Sequence, residues 1–189
     1  MNRIRNIKPQ ELTECLRIFH QAFSDTELRS DGRIRALYDQ GRMKFACLEA
    51  GGRIVSCQMY WPLKDLLFLE NFATRPGLRG QGYGGALLEH MKNIGRPLVL
   101  EAEEGTDEMS RRRIAFYERH GLVLSGQEYY LPPLQKGAPV QFYRLMTCGC
   151  EADEALVHRL YREVYDSGRT LADYRRQFVE KNGVCAYTR

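Results

Sequence analysis

The stretch Asn71-Phe72-Ala73-Thr74-Arg75-Pro76-Gly77-Leu78-Arg79-Gly80-Gln81-Gly82-Tyr83-Gly84-Gly85-Ala86-Leu87-Leu88 passes from a β-rich run into a helical one through a loop holding five glycines. Leu87, Leu88 and Met91 recur at helical spacing, so a helix is expected over residues 82–94, stopped by Gly95 and Arg96-Pro97. Glycine tolerates positive φ and lets backbone approach a ligand, so successive N–H groups at a helix start can point into one concavity. That geometry suits a pyrophosphate; the plainer alternative is a flexible turn before an ordinary helix. A Walker-type loop is disfavoured, because Gly84-Gly85 leads into Ala86-Leu87 where Lys and Ser or Thr are required. Gly80-x-Gly82-x-x-Gly85 does satisfy a dinucleotide fingerprint literally, with Glu101 at the distance of a ribose-binding acid. Such a loop follows its strand at once within repeated βαβ units, whereas here Arg75-Pro76-Gly77-Leu78 intervenes after an antiparallel meander. A third reading is Arg79-x-x-Gly82-x-Gly84.

Working outward, residues 2–7 alternate as a short strand, and Pro9 opens a helix with Leu12, Cys15, Leu16, Phe19 and Phe23 on one face. A second helix is expected over Asp31–Asp39, ended by Gly41. Residues 44–50, 53–61 and 65–74 read as three strands separated by Gly51-Gly52 and Pro62-Leu63-Lys64, which makes a meander. The helix after the glycine loop and a strand at 98–101 complete one parallel crossover. Downstream, a helix over 107–120 ends at Gly121, and short strands follow at 122–124, 128–131 and 140–146. Beyond Gly149 the pattern is helical, 152–165 and 171–179, broken at Gly168. The expected organisation is therefore a domain over 1–149 and a C-terminal helical hairpin over 150–189. The stripe Leu156, Leu160 and Val164 is expected to dock on the core or on a second copy in a homodimer.

Composition narrows the class. At 189 residues a single domain with an appendage can bury roughly 70% of its unfolded surface. Hydrophobic residues at 43% and charged residues at 28% argue against disorder. The net charge of +4 is too mild to predict nucleic-acid binding, and the segment from Glu151 onward is neutral, with seven acids and seven bases. Arg111-Arg112-Arg113 and Arg119 point in different directions on a helix and do not form a patch. Cys15, Cys47, Cys57, Cys148, Cys150 and Cys185 include no Cys-x-x-Cys pair, so neither a zinc site nor a disulfide framework is expected. No apolar run approaches the roughly 18 residues that span a bilayer, and charges occupy residues 1–10, so no membrane partner and a cytoplasmic location are expected.

The glycine-loop run, with Arg79-x-x-Gly82-x-Gly84 at its centre, resembles the acyl-CoA signature of the GNAT superfamily of N-acetyltransferases. A second block, Ile114-Ala115-Phe116-Tyr117-Glu118-Arg119-His120-Gly121-Leu122, follows one strand and one helix later, as that family requires. The resemblance covers roughly residues 2–147 and implies an α/β (α+β) fold. Its sheet would be mixed, mostly antiparallel, of about six or seven strands flanked by about four helices. It implies acetyl-CoA as cosubstrate, with no metal. Pantetheine would pair with the backbone of Phe72, Ala73 and Thr74, while Arg79, Gly80, Gln81, Gly82, Tyr83, Gly84 and Gly85 hold the pyrophosphate. Arg75 would add charge beside Arg79. Ser110 stands where the family often has Asn, and Leu122 where Phe is commoner.

Acyl transfer needs an amine lone pair, a polarised carbonyl and a proton for the departing thiolate. The resemblance makes Tyr117 the donor to sulfur; packing beside Ile114 is its structural alternative. An amine arrives protonated, so a carboxylate base is expected. Glu70 and Glu101 are the candidates, both near the carboxyl ends of strands, with strand alternation leaving their facing open. Glu101, Glu103, Glu104, Asp107 and Glu108 place five acids within eight residues, either to attract a cationic substrate or as a charged helix start. The leading expectation is acetyl transfer to a small-molecule or peptide primary amine by direct attack. The rivals are a non-catalytic acyl-CoA-binding regulatory domain and an NAD-binding oxidoreductase.

Overall fold

The computed structural model describes residues 2–183, so Cys185 lies outside the described residues. Seven strands and six α-helices alternate along the chain, with mixed strand pairing, as expected for this fold class. The chain forms two compact units, one ending at Leu100 and the other beginning at Glu101.

The first unit contains β1 (Arg3–Asn6), α1 (Leu12–His20), α2 (Asp31–Asp39), β2 (Lys44–Ala50), β3 (Arg53–Pro62), β4 (Leu67–Thr74), α3 (Tyr83–Lys92) and β5 (Leu98–Ala102), which runs on into the second unit. Antiparallel pairs join β1 to β2, β2 to β3 and β3 to β4, and the turn after β2 uses Gly51 and Gly52 at φ +57° and +74°. α1 buries Leu12, Cys15, Leu16, Ile18 and Phe19, the stripe that its apolar spacing prescribes. Cys57 of β3 meets Cys15 of α1, while Phe72 and Thr74 of β4 lie beneath Gly84 of α3. Because neighbours along a strand face opposite ways and Cys57 is paired with Ala73, these helices cover opposite faces of the sheet. That explains why residues 54–61 of β3 are all buried.

The second unit holds α4 (Glu108–Arg119), β6 (Val123–Leu131), β7 (Gln141–Cys148), α5 (Glu154–Glu163) and α6 (Leu171–Asn182). One correction applies here. The strands expected at 122–124 and 128–131 are a single strand, because Ser125, Gly126 and Gln127 bulge between the pairs Leu124↔Met146 and Glu128↔Arg144 instead of turning the chain. Side-chain caps start the helices: Asp107 accepts from Ser110 N at 2.9 Å, Asp153 from Leu156 N at 2.8 Å and Thr170 from Asp173 N at 3.2 Å. The stripe Leu156, Leu160 and Val164 is buried within the chain, together with Val157 and Tyr161. Tyr161 Oη donates to the Tyr130 carbonyl at 2.9 Å, and Phe178 of α6 lies 5.5 Å from the Tyr130 ring, so both C-terminal helices pack on β6.

Leu160 is fully enclosed, whereas Val123 is 67% exposed. Leu160→Ala is expected to lower stability by about 2–5 kcal/mol and Val123→Ala to stay within about 0.5 kcal/mol of the parent. Urea denaturation followed by far-UV circular dichroism measures both; equal midpoints would contradict the docking of α5.

Candidate active site

The parallel pairing of β4 with β5 consists of Leu67↔Leu98, Phe68↔Val99 and Leu69↔Leu100, and it stops there. One residue on, the β3 register shifts: Met59 faces Asn71 and Tyr60 faces Leu69, which leaves Glu70 as a surplus residue on β4. A bulge bends its strand and adds twist. Residues 71–74 thus keep β3 on one side and, among the described residues, have no strand on the other. Three carbonyls here accept side-chain bonds, Asn71 from Gln58 Nε2 at 3.1 Å, Ala73 from Ser56 Oγ at 3.0 Å and Thr74 from Arg79 Nε at 3.4 Å.

The chain then crosses a short helical turn, Pro76–Leu78, into the exposed loop of Arg79, Gly80, Gln81 and Gly82. Gly82 is the N-cap of α3 at φ +80°, a conformation that a Cβ disfavours by about 1–2 kcal/mol, and no side chain caps the helix. The first amides of α3 therefore lack intrahelical acceptors and carry the positive end of the helix dipole. A Cβ at Gly84 would lie 3.3 Å from Phe72 Cζ and 3.5 Å from Thr74 Oγ1, so this glycine lets α3 press against β4. Arg75 is engaged elsewhere: its Nε donates to the Ile54 carbonyl at 2.7 Å and its guanidinium pairs with Glu14 of α1. The charge expected from it beside the loop is spent on joining α1 to β3.

The two candidate carboxylates have different surroundings. The Glu70 side chain is 3% exposed, with Oε1 accepting from Arg29 Nε at 2.8 Å and Oε2 from Trp61 Nε1 at 2.5 Å. Arg29 also lies over the Trp61 ring at 5.3 Å. Glu101 is half-buried. Its Oε1 accepts from the Tyr165 hydroxyl at 2.5 Å and from the Tyr129 hydroxyl. Glu103 and Glu104 are paired with Arg113 at 3.1 Å and Arg144 at 3.0 Å, so part of the acidic run is neutralised locally.

Tyr117 lies on the buried side of α4 beside Phe116, and burial pushes its phenol up to about 12, against an opposing effect of Arg113. The phenol therefore stays protonated, as a donor must. The Tyr117 carbonyl accepts from His120 N at 3.0 Å and Leu122 N at 3.1 Å, which closes the end of α4. Ser110 is buried and bonds back to Asp107, so its hydroxyl serves the helix cap.

The family model "Acetyltransferase (GNAT) family" matches residues 11–122, which include both signature blocks. The chain belongs to the GNAT acetyltransferase family. It is accordingly an acyl-CoA-dependent N-acyltransferase. Among solved structures, a putative GNAT-family acetyltransferase from Bacteroides thetaiotaomicron is 31% identical with TM-score 0.79, covering 87% of this chain and 99% of that one. The ribosomal-protein-S18-alanine N-acetyltransferase of Escherichia coli shares the fold at 22% identity and TM-score 0.60, with 81% and 96% covered. Ard1 from Thermoplasma volcanium does so at 19% and 0.60, with 78% and 96% covered. No curated protein matches the chain.

Within this GNAT protein, Phe72, Ala73, Thr74 and the loop from Arg79 to Gly85 stand together at the open end of β4 and the start of α3. Sequence reading missed Arg29 and Trp61, the partners of Glu70, and Tyr129 and Tyr165, the partners of Glu101. None sits in a motif, and Tyr165 is 64 positions from the carboxylate it touches.

Removing the Glu70 charge leaves the Arg29 guanidinium buried without its carboxylate. Glu70→Gln is expected to cost about 3–5 kcal/mol, and Arg29→Met/Glu70→Leu to recover most of that loss. Urea midpoints of the three proteins decide it, since a double variant as unstable as the single one would mean that the pair is not isolated.

Proposed function

We propose that this GNAT protein transfers an acetyl group from acetyl-CoA to a primary amine, on a small molecule or a peptide, by direct attack in the cytoplasm. The observation that carries the reading is the end of β4–β5 pairing at Leu69, on the strand that leads through residues 75–82 into an uncapped, glycine-started helix. A cosubstrate with an amide-bearing arm and a pyrophosphate fits that pair of features. The arm can use the backbone of Phe72, Ala73 and Thr74, and the phosphates the amides of residues 80–85 with Arg79. Gly84 supports the fit, because any Cβ there would press on Phe72 and Thr74 instead of leaving the cradle open. The described cysteines are free thiols, consistent with a reducing compartment.

When bound, acetyl-CoA supplies a thioester whose acyl carbon the amine nitrogen takes, with CoA thiol and one proton released. Glu101 accepts the proton of the incoming ammonium, directly or through water, freeing the lone pair. Both phenols, of Tyr129 and Tyr165, donate to the same oxygen, Oε1. Glu70 is the weaker candidate, because Arg29 and Trp61 hold both of its oxygens. Tyr117 donates to the sulfur as the carbon–sulfur bond breaks and recovers a proton from the new amide nitrogen.

The test is a thiol-release assay with acetyl-CoA over pooled amines, alongside thermal shifts with CoA and NAD. Expected are turnover on at least one amine class and a shift with CoA alone; CoA binding with no turnover would leave a non-catalytic binding domain. Glu101→Gln should lower kcat by about 10²–10⁴-fold, and Tyr117→Phe should lower kcat with CoA affinity unchanged. The rate should rise with pH as the carboxylate and the amine lose protons. With the Tyr117 phenol at about 12, no alkaline fall from it is expected below about pH 11.

A further inference from the structure

We propose that Tyr165, delivered by the C-terminal helical segment, is a positioning residue for Glu101, acting with Tyr129 from β6 to hold that carboxylate as an oriented anion. The inference rests on the reading of Glu101 as the base. Tyr165 Oη lies 2.5 Å from Glu101 Oε1, and Tyr129 donates to the same oxygen. Two donors on one oxygen fix the carboxylate's rotamer and direct its remaining acceptor positions away from the tyrosines.

Neither phenol is loosely placed. Tyr129 is fully buried and stacks on Tyr161 of α5 at 5.6 Å and 26°. Tyr161 is itself pinned to β6 by its bonds with the Tyr130 carbonyl at 2.9 Å and the Tyr130 amide at 3.3 Å. At the end of α5 the chain makes a tight turn, with Tyr165 N on Leu160 O at 3.3 Å and Ser167 N on Tyr161 O at 2.8 Å. Asp166 sits in this turn at φ +50°, the one non-glycine residue with positive φ among the described residues. Such a conformation persists where the surroundings enforce it, and here it fixes the direction in which Tyr165 leaves the helix. Ser167 Oγ then meets Tyr174 Oη at 2.7 Å, which ties the turn to α6.

Among the groups facing Glu101 are Tyr129 from β6 and Tyr165 after α5, with Tyr161 behind them; the flanking Glu103 and Glu104 are paired with Arg113 and Arg144. Burial and the Glu101 charge push the Tyr129 phenol well above its ordinary range, so it remains a donor at any working pH. Neutral donors favour the carboxylate without cancelling its charge. The segment beyond the matched family region would thus complete the catalytic unit.

The experiment titrates Glu101 in the full-length free protein by ¹³C NMR of labelled glutamate side chains, the resonance being assigned with Glu101→Gln. Tyr165→Phe keeps the ring and removes one donor, and the Glu101 midpoint should rise by about one pH unit. The acid limb of kcat/KM on the best amine of the panel should move up equally, with acetyl-CoA affinity unchanged and kcat roughly tenfold lower. Tyr129→Phe provides an independent arm with the same expected direction should Tyr165→Phe not fold. An unmoved Glu101 midpoint in a folded variant overturns the inference whatever the kinetics. A moved midpoint with Glu101→Gln fully active would leave the tyrosine coupling standing and remove Glu101 as the base.

Discussion

The first unit is organised around strand pairing that stops. In the first unit β4 and β5 run parallel for three residue pairs and then no longer bond, at the point where Glu70 is squeezed out of the β3–β4 register. An unpaired strand edge is costly when enclosed and reactive when exposed, because its amides and carbonyls demand partners. The strand leads, through the loop of residues 75–82, into a helix whose first amides no side chain caps.

The two carboxylates near strand ends show how surroundings assign roles to identical chemistry. Glu70 is held by a buried arginine and an indole N–H, an arrangement that locks the loop bearing Arg29 onto β4 and uses up both oxygens. Glu101 is held by neutral phenols. Hydroxyl donors on one carboxylate oxygen restrict the rotamer of the group.

The C-terminal helices are bound to β6 by an aromatic network in which nearly every tyrosine hydroxyl has a backbone or side-chain partner. Burying these rings offsets the entropy of ordering two helices, and satisfying their hydroxyls avoids the penalty of enclosed polar groups. Rigidity there extends to the Tyr165 turn and hence to a carboxylate far away in the chain.

Much of this was legible in the residue pattern. Apolar spacing marked all six helices, Gly51-Gly52 marked the hairpin, and the loop from Arg79 to Gly85 with the Tyr117 block carried the family, because these are local signals of period, turn chemistry and φ. The facing of Glu70 was not legible, since a bulge shifts the alternation from which facing is read. The continuity of β6 through Ser125-Gly126-Gln127 was hidden for a related reason: a bulge and a turn use the same small polar residues. Arg29, Trp61, Tyr129 and Tyr165 entered only with the tertiary structure. Their contacts join positions 9 to 64 residues apart, and no periodicity along a chain records which distant side chains its folding brings together.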